Sequence, residues 1–121
     1  WLDGQKLAKH LNERNLKGVR FVPVKFKPNA SVFKNENLGG INIIITDRSN
    51  FESVKTGIEI AVALRKLYPN DWQVDKYSRL LVNADILARV KRGESPEEIE
   101  NSWQKSLTEF KTRRASFLLY K

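Results

Sequence analysis

The spacing of hydrophobic positions changes several times along the chain, and each change marks an element. Leu7 and Leu11 stand four apart in the stretch Gly4–Leu16, which places both on one face of a helix. Asp3 precedes that stretch, where a carboxylate accepts the orphan amide hydrogens of a first turn. Gly18 follows as a C-cap candidate, since it reaches positive φ without a Cβ clash. From Val19 to Phe26 the period falls to two, with Val22, Val24 and Phe26 sharing a face. Pro23 cannot donate to a ladder, so this strand is predicted to lie at a sheet edge. Ile41-Asn42-Ile43-Ile44-Ile45-Thr46 is the densest β-branched run and is apolar on both faces, which predicts a central strand. The 14 residues Lys27–Gly40 between the strands are rich in Asn and Gly. They are long for a plain hairpin turn, and loops of that length are mobile or functional.

Asp47-Arg48-Ser49-Asn50 is turn chemistry. A helix is predicted over Ser53–Leu67. Between Ile58 and Leu64 its only polar side chain is Glu59, so it is expected to be buried over most of its circumference. Tyr68-Pro69-Asn70-Asp71 stops it. Two short helices are predicted over 75–82 and 84–92. The second carries Arg89, Lys91 and Arg92 near its end, where cations favour the helix dipole, and closes at Gly93. Ser95-Pro96-Glu97-Glu98 starts the last helix with a cap, a proline at the first helical position and a capping box. That helix is predicted to run to about Arg114, with Ile99, Trp103, Leu107 and Phe110 as its core stripe. The apolar tail Ala115–Tyr120 predicts a third strand. The order α-β-β-α-α-α contains no repeating βαβ unit, so the fold class is α+β: a small, mainly antiparallel sheet of two to four strands packed with four or five helices. Two strands alone are marginal, so the helices or a neighbouring domain must cover them.

At 121 residues this is one domain, and the first residue, Trp1, together with the lack of any Met, leads us to expect a piece of something longer. With no Cys, disulfides and thiolate metal sites are excluded. No stretch approaches the ~18 apolar residues of a membrane-spanning helix. The net charge is +8, and +5 of it falls in the first 40 residues (8 basic, 3 acidic). A basic face of this kind attracts nucleic acid or an acidic glycan, although most such faces are simply solvated.

Catalytic groups are sparse. His10 is the only histidine, so neither a His-based metal site nor a nucleophile–His pair is expected, and no phosphate-binding glycine motif is present. No cofactor and no metal are predicted. Glycosidases need two facing carboxylates. Glu97, Glu98 and Glu100 cluster at a helix start, where their structural role suffices. Asp47, beside Arg48 at the end of the isoleucine strand, is the better-placed acid. Phe33, next to Lys34 in the long basic loop, is a free aromatic suited to stacking.

Taken in order, several segments resemble one family. They are Trp1-Leu2-Asp3-Gly4, Gly18-Val19-Arg20-Phe21-Val22-Pro23-Val24, Phe26-Lys27-Pro28, Gly39-Gly40-Ile41, Ile45-Thr46-Asp47-Arg48, Leu67-Tyr68-Pro69, Asp75 to Leu81, Ser95 to Ile99, Trp103 and Phe117-Leu118-Leu119-Tyr120. Together they resemble the C-terminal domain of bacterial exo-β-N-acetylmuramidases of the NamZ type, over essentially the whole chain. The resemblance implies an accessory domain that follows a Rossmann-like catalytic domain absent from this chain. It also implies that the full protein removes terminal N-acetylmuramic acid from peptidoglycan fragments in a cleft between the two domains. No catalytic residue is expected here, and the place of action is periplasmic or secreted. In the loop before the double glycine Ser31 matches the family, whereas Val32, Phe33 and Leu38 stand where Lys, Tyr and Cys are usual. Asn29, Ser31, Phe33, Asn37, Asp47 and Arg48 are the cleft candidates, with Arg48 placed to meet the lactyl carboxylate of muramic acid through a bidentate fork. The alternatives are a nucleic-acid-binding module built on the basic first third and Phe33, or a purely structural domain that stabilises its neighbour. Steep salt dependence would mark the nucleic-acid binder.

Overall fold

The computed structural model describes residues 1–119. Helix α1 (Gly4–Glu13) leads into the hairpin β1 (Val19–Phe26) and β2 (Leu38–Ile45). These are followed by α2 (Ser53–Leu67), a 3-10 turn (Val74–Tyr77), and the helices α3 (Ser78–Leu81), α4 (Ala84–Arg92) and α5 (Pro96–Ala115). Among the described residues the sheet is this antiparallel pair. The fold is therefore the expected small α+β arrangement, with five helices and the lowest expected strand number.

Local chemistry explains most boundaries. The Asp3 carboxylate accepts the Gln5 and Lys6 amides at 2.9 and 3.1 Å and starts α1. Asn83 accepts the Ile86 amide at 3.0 Å and starts α4, which Gly93 ends at φ +76°. Ser95 and Glu98 form the predicted capping box of α5. Helix α1 stops earlier than the pattern suggests, because Asn15 turns left-handed at φ +54°. Gly18 therefore does not cap it. At φ +70° Gly18 instead starts the hairpin, its carbonyl accepting the Thr46 amide at 2.9 Å.

The hairpin register runs without a bulge from Val19 opposite Ile45 to Phe26 opposite Leu38. The outward edge of β1 is closed by a side chain. The Phe21 amide donates to Asn12 Oδ1 at 3.0 Å, and Asn12 Nδ2 donates to the Phe21 carbonyl at 2.8 Å. Pro23, two residues on, has the same parity, so its missing donor also faces outward and costs no ladder bond. This is the edge position predicted for β1. The prediction for β2 needs correction: it is an edge strand too, and Ile43, Ile44 and Ile45 are 45%, 42% and 47% exposed. A β-branched run reports what a strand is able to bury. It does not say whether the covering layer lies in the same domain. Here α1 covers one face of the hairpin, over Val19 and Phe21.

Two small cores share α2. One joins Leu7, Ala8 and Leu11 of α1 to Val19, Phe21 and Ala63. The other joins Ile58 and Ala61 to Ile86, Val90 and Ile99. The predicted stripe of α5 fades along its length, from fully buried Ile99 to Phe110 at 49% exposure. Helix α5 runs back along α2, with Glu100 beside Lys55 at 3.4 Å, and its second half extends past the start of α2. The predicted third strand is also absent where it can be checked. Helix α5 continues through Ala115, residues 116–119 are not strand, and Tyr120 lies outside the described residues.

A buried ion pair locks the two halves. Glu59, 3% exposed, receives Arg14 Nε and Nη2 at 2.9 and 3.0 Å, and Arg14 also pairs with Glu97 at the start of α5. The Glu59 contact raises the Arg14 guanidinium further above its ordinary range. Removing one partner of a buried pair strands the other charge. Arg14→Ala is therefore expected to cost about 2–3 kcal/mol in urea denaturation, below the about 3–5 kcal/mol of a fully buried pair because solvent reaches Arg14.

Candidate functional site

The N-terminal segment lies across the start of β2. A Cβ on Gly39 would land on the Leu2 carbonyl oxygen, and one on Gly4 would land on the Gly40 carbonyl oxygen. The double glycine is thus a crossing point where two backbones touch. Tyr68, at the end of α2, holds the segment in place. Its hydroxyl accepts the Asp3 amide at 3.1 Å and donates to the Asp3 carbonyl at 3.0 Å. The Tyr68 ring meets Trp1 at 5.3 Å between centroids, and Lys6 Nζ lies 5.6 Å above it.

This crossing leaves an open groove of about 970 Å³. Leu2, Asp3, Gly4 and Gln5 line one side, and Pro23–Lys27 with Asn37–Gly39 line the other. Asp3 is the one carboxylate in the lining, and it is occupied by the α1 cap. Lys25 and Lys27 are exposed and take part in none of the ion pairs among the described residues. The groove therefore presents positive charge beside an aromatic ring, that of Phe26.

The loop 27–37 rises from the groove and closes on itself. The Asn35 amide donates to the Pro28 carbonyl at 2.8 Å, and the Lys34 amide donates to the Ser31 carbonyl at 3.2 Å. Ser31 and Asn35 sit at φ +71° and +65°. For serine this is a sparsely populated backbone state that stores roughly 1–3 kcal/mol. The six sequence candidates fall into two groups. Asn29, Ser31 and Phe33 are exposed on this loop and Asn37 is on the groove rim, all at one end of the hairpin. Asp47 and Arg48 follow the far end of β2. At ~3.3 Å per residue, the strand places them roughly 23 Å away. A single sugar cannot touch both groups.

Asp47 is engaged in its own turn. It accepts the Ser49 amide at 2.9 Å, the Ser49 hydroxyl, and Asn50 Nδ2 at 2.6 Å. Hydrogen bonding from the Ser49 side chain, then from Asn50, lowers its pKa to about 2. Arg48 is exposed. The glutamates at the start of α5 all have structural partners: Glu97 pairs with Arg14, Glu98 completes the capping box and Glu100 pairs with Lys55. His10 is half-buried on α1 beside Arg14 and Glu59. No group of three potential metal ligands occurs among the described residues, and no helix there is long and apolar enough to cross a membrane. Sequence reasoning missed Lys25 and Gln5. The alternation Lys25-Phe26-Lys27 within the basic first third was the available signal.

Comparison with known proteins gives the family. The family model described as "Exo-beta-N-acetylmuramidase NamZ, C-terminal" matches residues 1–120. This chain belongs to the family of NamZ C-terminal domains. It is 32% identical over 123 residues to the peptidoglycan β-N-acetylmuramidase NamZ of Bacillus subtilis, covering 99% of this chain and 30% of that protein. It is also similar to the crystal structure of a DUF1343 family protein from Bacteroides fragilis, with a TM-score of 0.83 and 26% identity over 100% of this chain and 34% of the other. This NamZ C-terminal domain thus spans about a third of the length of the relatives it matches. The Bacillus relative is by name a peptidoglycan β-N-acetylmuramidase.

Three expectations test the NamZ domain. Gly39→Ala should cost about 1–3 kcal/mol in urea denaturation by pushing Leu2 off the hairpin. Gly57→Ala, with open space around its Cβ inside α2, should stabilise by about 0.5–1 kcal/mol. The Asp47 carboxylate should titrate near pH 2 by NMR. Lowered from 3.8 to about 2, its hydrogen bonds support the turn above the unfolded value and are lost as pH falls through about 2. Ser49→Ala should move the titration back up.

Proposed function

We propose that this domain supplies one wall of the substrate cleft of a longer exo-β-N-acetylmuramidase that removes terminal N-acetylmuramic acid from peptidoglycan fragments. The observation that carries the reading is the groove at the crossing of Leu2–Gly4 and Gly39–Gly40, in a chain that belongs to a muramidase family. A catalytic Rossmann-like domain joined ahead of Trp1 is tethered at that groove. Glycoside hydrolysis needs a pair of carboxylates, and the groove offers only the capping Asp3. The catalytic acid therefore belongs to the preceding domain, and this domain binds and orients.

The roles divide by chemistry. Lys25 and Lys27 attract the lactyl carboxylate of muramic acid. Asn29, Ser31 and Asn37 offer hydrogen bonds to hydroxyl and acetamido groups. Phe33 offers a face for a sugar ring. The left-handed Ser31 backbone supports a functional loop, since strain of this kind collects at binding sites. Arg48, at the opposite end of the hairpin, lies away from this wall. The substrate places the full protein at the cell wall, in the periplasm or outside the cell.

The test is release of N-acetylmuramic acid from a chromogenic muramic acid glycoside. The full-length protein should be active and this domain alone inactive. Lys25→Ala with Lys27→Ala in the full-length protein should lower kcat/KM more than tenfold, the loss of a charge-assisted contact being about 1.5–3 kcal/mol. Arg48→Ala should leave kcat/KM within about twofold. The reverse pattern would move the sugar to the Asp47–Arg48 end. No activity in the full-length protein would end the muramidase reading.

A further inference from the structure

The two edges of the hairpin are treated differently. The outer edge of β1 is closed at Phe21 by Asn12 and protected by Pro23, and the strand carries Arg20 and Lys25. The outer edge of β2 has none of these devices. Opposite residues in an antiparallel pair share parity, so the outward face of Phe21 makes Ile43 outward as well, together with Ile41 and Ile45. Among the described residues, no backbone bond from outside the hairpin reaches these three. From Leu38 to Thr46 there is no charged residue and no proline. Exposed edges are ordinarily blunted by charge, proline, bulges or a covering element, because an open apolar edge templates pairing with another chain. Here Ile43 and Ile45 are half-exposed on one face of β2 and Ile44 on the other.

We infer that β2 is an interior strand in the full-length protein, its outer edge continued by an extended, apolar segment of the domain that precedes this one. The matched family is a C-terminal domain, and the relatives are about three times as long, so the remaining chain precedes this domain in them. The segment Leu2–Gly4 lies against the first residues of β2, so the preceding domain is attached at one end of that edge. Strand addition gives the amides and carbonyls of Ile41, Ile43 and Ile45 their partners, and it covers isoleucines on both faces. The inference rests on the reading of the chain as the last part of a longer protein, and it is independent of the sugar chemistry.

Hydrogen–deuterium exchange on the full-length protein tests it, with the Asn42 and Ile44 amides, which face β1, as internal references. Pairing predicts that the Ile41, Ile43 and Ile45 amides exchange within about tenfold of those references, unchanged over a hundredfold dilution. Ile43→Lys in the full-length protein should speed exchange at Ile41 and Ile45 by more than about tenfold while Asn42 stays protected. Exchange of the three amides about a hundredfold or more faster than the references in the unmodified protein would overturn the inference. Protection that disappears on dilution would also overturn it, in favour of a second copy at the edge. The muramidase assay reads the groove and exchange reads the edge, so either can fail alone.

Discussion

The carboxylate of Glu59 is buried where the two cores meet, and the arrangement of the domain depends on how that charge is satisfied. An unpaired buried carboxylate costs several kcal/mol, so the last turn of α1 must bring Arg14 to it. Arg14 meets it with two hydrogen bonds and reaches Glu97 at the start of α5 as well. This fixes the roll of α1 against α2. Two residues earlier, Asn12 then faces the backbone of Phe21 and closes the edge of β1. The same rigid helix begins at Asp3 and Gly4, which Tyr68 and the double glycine hold against the start of β2. One helix thus carries the clamp at one end and the groove wall at the other.

The hairpin separates two regions of different character. At the α1 end, the groove, Lys25, Lys27 and the strained loop around Ser31 form a basic, concave surface. At the far end, Asp47 is held by Ser49 and Asn50 in a self-contained turn. Among the described residues, the groove lining holds one carboxylate, that of Asp3, and it caps α1. The Bacillus and Bacteroides relatives are each about three times as long as this domain.

The sequence by itself determined most of the elements and several of their ends. Periodicity and capping chemistry act over three or four residues, so Asp3, Gly93 and the Ser95–Glu98 box could be read directly, as could the strands at Val19–Phe26 and around the isoleucines. The order of motifs already resembled the family. Glu59 stood out as the polar break in an apolar run.

Tertiary structure decided what lies beyond that range. Glu59 finds Arg14 across 45 residues of chain, and Asp3 finds Tyr68 across 65. No local pattern specifies such pairs. The same limit explains why Asp47 and Arg48 looked like neighbours of the loop at Ser31: sequence order through a hairpin hides that eight paired residues keep its two ends apart. It also explains the isoleucine strand. Its composition states truly that it is suited to burial on both sides, while the layer that covers it is set by the packing of elements distant in the chain, and within this domain α1 reaches only one face.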